Sequence, residues 1–182
     1  MKITIGGPPG SGTTTIAARV AEALNYRYLY AGKVFREMAA EHGMTLEEFG
    51  ARAEHDVSLD RAVDERMRVL STDDTVTEGR MSAFVVDSPD VRIWLDAPLG
   101  VRISRIMERE SLSEREAREM TVRRQRCEDV RYRSIYGIDI FDLSHYDLVI
   151  NTEKWDVDGV HAIVMTAITT LVRATQERRM YR

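Results

Sequence analysis

Residues 7–15 read Gly-Pro-Pro-Gly-Ser-Gly-Thr-Thr-Thr, and their types and spacing suit the capture of phosphate by backbone amides. Gly7 and Gly12 bracket four residues, and Thr13 and Thr14 follow, which is the spacing of a phosphate-binding P-loop. Glycine accepts positive φ and lets the backbone approach a ligand closely, so Gly7, Gly10 and Gly12 can turn several N–H groups around an anion. The helix predicted from Thr13 aims its N-terminal dipole at the same space. Thr14 fills the slot whose hydroxyl ligates Mg2+ beside the β- and γ-phosphates. Pro8, Pro9, Ser11 and Thr15 complete the loop as candidate ATP-binding residues. One position departs from the pattern, which asks for Lys where the chain has Thr13. A Gly/Pro-rich turn that binds nothing is the plain alternative, but the strand before it and the helix after it favour phosphate.

In an open α/β sheet, ligands sit beyond the carboxyl ends of the strands. The second predicted strand ends at Gly32, followed by Lys33 and Arg36; the third ends in Glu78-Gly79-Arg80; the last ends in Asn151-Thr152-Glu153-Lys154-Trp155. Arg36, Arg80 and Glu78 therefore share a rim with the P-loop, an arrangement that suits a second phosphate facing the first. Each taken alone also reads as a solvated helix residue, a turn cap or a strand-end acid.

The densest charge cluster runs from Arg123 to Arg133. Much of it reads as a solvated helix laced with i,i+4 pairs. Helical spacing also sets Arg124 and Arg131 two turns apart on one face with Glu128 between them, and Tyr136-Gly137-Ile138-Asp139 offers a pivot. An arginine-bearing flap over a nucleoside triphosphate would exclude water and neutralise the moving phosphoryl group. Lys2, Lys33 and Lys154 are the only lysines among 26 basic residues, and none is expected beside the loop. Arg124 and Arg131 are therefore expected to supply the charge that Thr13 lacks, as catalytic residues.

These groups need a scaffold, and hydrophobic periods alternating between strand and helix supply one. Strands are expected at Ile3–Ile5, Tyr26–Ala31, Thr75–Thr77, Val91–Leu95 and Tyr146–Asn151. Helices are expected from Thr13 to about Asn25, at Val34–His42, Leu46–Ala53, about 59–70, Val101–Arg109, from the Ser113–Glu116 capping box to about Arg133, and from Val157 to about Gln176. In the first helix Ile16, Val20, Ala23 and Leu24 are expected inward. In the last, Val160, Ile163, Val164, Ala167, Ile168 and Leu171 are. The pattern predicts one α/β domain, a mostly parallel sheet with helices on both faces. The 182 residues fit a single domain, and a net charge of −4 argues against a nucleic-acid coat. Met1-Lys2 leads straight into the first strand and no apolar stretch is expected to span a bilayer, so neither a leader nor membrane attachment is expected. The lone Cys127 suits a reducing cytoplasm.

The chain resembles the nucleoside monophosphate kinases, and more closely the archaeal-type cytidylate kinases. The resemblance rests on residues 7–15, Ala-Gly-Lys-Val-Phe-Arg at 31–36, Glu-Gly-Arg at 78–80, Trp-Leu-Asp-Ala-Pro at 94–98, Tyr-Gly-Ile-Asp at 136–139 and Tyr-Asp-Leu-Val-Ile-Asn-Thr at 146–152. It implies a three-layer α/β/α P-loop kinase with helical acceptor-binding (about 32–72) and lid (about 111–140) regions. It also implies transfer of the ATP γ-phosphoryl group to CMP or dCMP. Gly32, Arg36 and Arg80 then take the acceptor phosphate, Thr14 takes Mg2+, and Trp155 lies near the adenine. A threonine in the lysine slot is familiar in that group. A monomer without nucleic-acid partners is expected. Other acceptors (AMP, UMP or a small hydroxyl compound), a non-catalytic ATP-binding module and an RNA-processing factor remain as alternatives.

Overall fold

The computed structural model describes residues 1–53 and 56–180, with side chains described as far as residue 174. Five strands, β1 (Lys2–Gly6), β2 (Arg27–Tyr30), β3 (Thr75–Glu78), β4 (Val91–Asp96) and β5 (Leu148–Asn151), pair in the order β2-β3-β1-β4-β5. Every pairing is parallel. β1 is central, and its residues 3–6 are all buried, because helices cover both faces of a parallel sheet. Thr4 sits in this apolar run with its hydroxyl donating to the Val91 carbonyl. The chain crosses from one side of β1 to the other between β3 and β4. The carboxyl end of β1 therefore faces the crevice at the switch point.

Ile3 and Ile5 pack with Ile16 and Val20 of α1 (Thr13–Leu24) and with Val160, Val164 and Ile168 of α8 (Val157–Met180). A second cluster centres on Phe49 and joins α2 (Ala31–Glu41), α3 (Leu46–Ala53) and α4 (Val57–Leu70) to Leu29 of β2. A short helix α5 (Ser82–Val85) follows β3. A third, small cluster holds Ile103 and Ile106 of α6 (Leu99–Glu110) against Ala117 of α7 (Glu114–Tyr136). The Ser113–Glu116 capping box opens α7, with the Ser113 N–H donating to the Glu116 carboxylate at 3.0 Å. Gly137, at φ 67°, closes it.

Several boundaries differ from the sequence expectation. α2 begins at Ala31, so Gly32 and Lys33 lie in its first turn rather than beyond a strand end. Gly32 looks like a terminator in sequence, yet a glycine in a first turn costs a helix little. α5 and a 3-10 turn at Leu143–His145 are too short to leave a periodic signal. Ala23 and Leu171 are exposed instead of inward, since the buried stripes run through Ile16, Ala17, Val20 and Ala21 and through Val160, Val164 and Ile168. Residues Val157–Ala174 are long and apolar enough to cross a membrane, contrary to expectation. In the fold this stretch lays that stripe on the sheet core.

Gly10 and Gly12 both have positive φ, 84° and 98°, but differ in their surroundings. A Cβ on Gly10 would stand 2.6 Å from the Arg102 carbonyl oxygen, whereas one on Gly12 would meet nothing within 4 Å. Gly10→Ala is expected to cost about 2 kcal/mol or more and Gly12→Ala about 1 kcal/mol. Urea midpoints at unchanged m-value measure the difference.

Candidate active site

The P-loop is held from behind. Arg102 donates to the Pro9 carbonyl at 3.4 Å and to the Ala97 carbonyl at 3.0 Å, and Arg105 donates to the Gly10 carbonyl at 3.3 Å. The Thr152 hydroxyl lies 3.1 Å from the Ser11 carbonyl and 2.9 Å from an Arg105 nitrogen. The Ser11 N–H closes a turn onto the Pro8 carbonyl at 3.1 Å. With these carbonyls satisfied on the outer side, the remaining loop amides are free to serve the opposite side. Gly12 caps α1 without a side-chain hydrogen bond, so the first amides of that helix stay available to an anion.

The loop forms one wall of a cleft of ≈ 700 Å3. Gly7, Pro9, Gly10, Ser11, Gly12, Thr13, Thr14 and Thr15 line it, while Pro8 is buried beneath. Facing them are Gly32 from the first turn of α2, Glu78 and Arg80 from the end of β3, Arg105 and Arg109 from α6, and Arg124, Glu128 and Tyr132 from α7. Trp155 and Asp156 close the end near α8.

None of the three lysines lies on this wall. Thr13 spends its hydroxyl on the Glu78 carboxylate at 3.0 Å, and the Tyr28 hydroxyl reaches the same carboxylate at 3.4 Å. Burial pushes the Glu78 carboxyl above the usual carboxylate range, while these hydrogen bonds pull the other way. Opposite the loop, the Arg80 side chain is 7% exposed and forms an ion pair with Glu128, 10% exposed. Glu128 also accepts from Arg124 Nε at 2.8 Å. Burial lowers the Arg80 pKa and Glu128 opposes that shift; a guanidinium stays charged regardless.

Two expected residues stand elsewhere. Arg131, expected beside Arg124 over the phosphates, is not on the cleft wall; it pairs with Asp60 of α4 at 3.4 Å. Arg36 is exposed and also off the wall, donating to the Tyr30 hydroxyl at 2.5 Å with its guanidinium 5.4 Å from the Tyr30 ring centre. Arg105 and Arg109 were not singled out by sequence. Their signal was present, since Arg102, Arg105 and Arg109 recur at i, i+3 and i+7 along one face of a helix that follows a core strand. Among the described residues no three His, Cys, Asp or Glu side chains gather as a metal cage. Mg2+ is commonly bound by one or two protein oxygens together with substrate phosphates. Thr14 and Glu78 offer such oxygens on the cleft wall.

A model of the cytidylate kinase-like family matches residues 2–71 and 58–154. The chain belongs to that family. It is 46% identical over 176 residues to a cytidylate kinase of Methanocella arvoryzae, covering 96% of this chain and 100% of the relative. A cytidylate kinase of Methanocaldococcus jannaschii is 47% identical over 176 residues, covering 94% and 99%. Among solved structures, an uncharacterized protein of Eubacterium ventriosum superposes with a TM-score of 0.70 at 20% identity over 92% of this chain and 97% of that one. A shikimate kinase of Acinetobacter baumannii superposes with a TM-score of 0.61 at 16% identity over 92% of each. At those identities the likeness concerns the P-loop kinase fold.

α7 also meets α4 through the Tyr136 hydroxyl, which donates to Asp64 at 2.5 Å. Burial raises the Asp64 pKa, and the Tyr136 bond only partly offsets it. An acid whose folded pKa is raised loses stability as pH climbs through that value. Asp64→Asn keeps an acceptor for Tyr136 and removes the charge. The variant is expected to be the more stable protein at pH 7, with the advantage gone below the unfolded carboxyl pKa of about 3.9. Urea midpoints at the two pH values check this.

Proposed function

We propose that this cytidylate kinase family member transfers the γ-phosphoryl group of ATP to CMP or dCMP, giving ADP and the corresponding diphosphate. The observation that carries the reading is the pair of phosphate-holding walls across one cleft. Loop amides freed by their outward carbonyls lie on one side, and the Arg80 guanidinium lies on the other. Family membership and the named relatives favour the cytidine acceptor.

The acceptor phosphate oxygen is already ionised, so no general base is needed. The work is alignment of two polyanions and the spreading of charge in a dry cleft. In this reading residues 7–15 hold the ATP phosphates. Thr14, with Glu78 beside it, would hold Mg2+, which bridges and neutralises phosphate oxygens when bound. Arg80 takes the acceptor phosphate, with Gly32 below it and Arg36 arriving from α2 once it leaves Tyr30. Residues 32–72, carrying α2–α4, form the acceptor-binding region. Residues 111–140, carrying α7, form the lid.

The charge missing at Thr13 comes from arginines on two helices. Arg109 and Arg124 already border the cleft; Arg131 joins them only by releasing Asp60. Closure over both substrates excludes water, which limits ATP hydrolysis when the acceptor is absent. A monomeric, cytoplasmic enzyme suits the single exposed Cys127.

A coupled ADP-release assay across the nucleoside monophosphates is expected to show turnover with CMP and dCMP far above AMP; the reverse order overturns the acceptor. Arg80→Ala is expected to raise KM for CMP by about tenfold or more, through loss of a charge-assisted phosphate contact. Arg109→Ala and Arg124→Ala are expected to lower kcat by about a hundredfold with little change in KM. Near-normal kcat in Arg109→Ala, Arg124→Ala and Arg131→Ala alike removes the proposal that arginines replace the lysine.

A further inference from the structure

One nitrogen of the guanidinium proposed for the acceptor phosphate is already paired. Arg80 is almost wholly buried, and its ion-pair partner is the Glu128 carboxylate, equally sheltered and on the same cleft wall. Tyr132 also acts on Arg80, attractively in its ionised form, while Arg124 and Arg102 repel it. Without Glu128 the buried Arg80 would have no carboxylate paired with it, and of the nearby acids only Glu78 would still act on Arg124. A buried charge left in that condition is costly, and a carboxylate of the protein's own relieves it. A carboxylate and a phosphate monoester offer a guanidinium the same paired oxygen acceptors. The two are therefore interchangeable at Arg80 and compete for the nitrogen that Glu128 holds.

We infer that Glu128 is a built-in stand-in for the acceptor phosphate, holding Arg80 and Arg124 in place until a nucleoside monophosphate displaces it. The inference rests on the proposed role of Arg80 in acceptor binding. Glu128 projects from α7, one turn beyond Arg124, so its displacement shifts the helix that carries the catalytic arginine. Arrival of the acceptor is thereby reported to the part of the site that handles the γ-phosphoryl group. An internal competitor of this kind also raises the apparent KM by the fraction of time it holds that nitrogen.

Glu128→Gln keeps the shape of the side chain and one acceptor oxygen, and removes the charge that competes. Its KM for CMP is expected to fall about five- to tenfold. Inhibition by inorganic sulfate, competitive with CMP, is expected to tighten by a similar factor. In an Arg80→Met background the same change is expected to leave KM for CMP where Arg80→Met alone puts it. An unchanged or raised KM in Glu128→Gln overturns the inference, because a carboxylate that only props Arg80 open would be missed by the substrate. If Arg80→Met by itself leaves KM for CMP untouched, the acceptor role of Arg80 falls, and this inference with it. Should the glutamine variant fail to fold, Glu128→Asp decides: its shortened reach loosens the hold on Arg80, so its KM for CMP is also expected to fall, and a value at or above wild type overturns the idea.

Discussion

The candidate site depends on where the loop after β1 sends its carbonyl oxygens. A phosphate can be gripped by main-chain amides only if the carbonyls alternating with them are satisfied elsewhere. Here Arg102 and Arg105 of α6 and Thr152 after β5 take up three of them from behind. The same contacts tie the ends of β1, β4 and β5 together, so the anion-facing surface is fixed by the sheet's parallel register and the helix that follows β4. Gly10 is pressed so closely against Arg102 that a side chain there has no room. The loop, α6 and the last strand are thus one rigid unit.

The absence of lysine at position 13 follows a similar logic. Thr13 is occupied by Glu78, a half-buried acid that Tyr28 also touches. A lysine in that place would meet the Glu78 carboxylate directly and be partly neutralised by it. The arginines that line the cleft stand on α6 and α7 instead, and in the proposed reading this separates the loop's role, which is geometry, from the neutralisation of charge. That division suits a reaction in which charge must be concentrated only when both substrates are present.

Much of this arrangement was legible in the chain itself. The strand, loop and helix from Ile3 to Val20, the parallel sheet and the Ser113–Glu116 capping box followed from residue types and local periods, and these are cases where local and tertiary preferences agree. Arg80 and Arg124 lie on the cleft wall, at positions that a strand end and a helical repeat give. Arg131 and Arg36 went astray because an arginine's reach spans several partners. The sequence does not say that Asp60 and Tyr30 stand nearer than the cleft. Arg105 and Arg109 were overlooked in a chain so rich in arginine that a short helical stripe attracted no attention. α5 and the 3-10 turn lie below the length at which any period is detectable.

α7 has 23 residues, yet only Ala117, Thr121 and Glu128 are buried. Little oil holds it down. Its grip on the remainder of the molecule relies on the ion pairs of Glu128 with Arg80 and of Arg131 with Asp60, and on the hydrogen bond from Tyr136 to Asp64. Attractions of that kind fade where mobile electrolyte can reach them, with a range of about 8 Å at physiological ionic strength. The more exposed pair of Arg131 with Asp60 is therefore the one that rising salt weakens, while the sheltered Arg80–Glu128 pair is screened little.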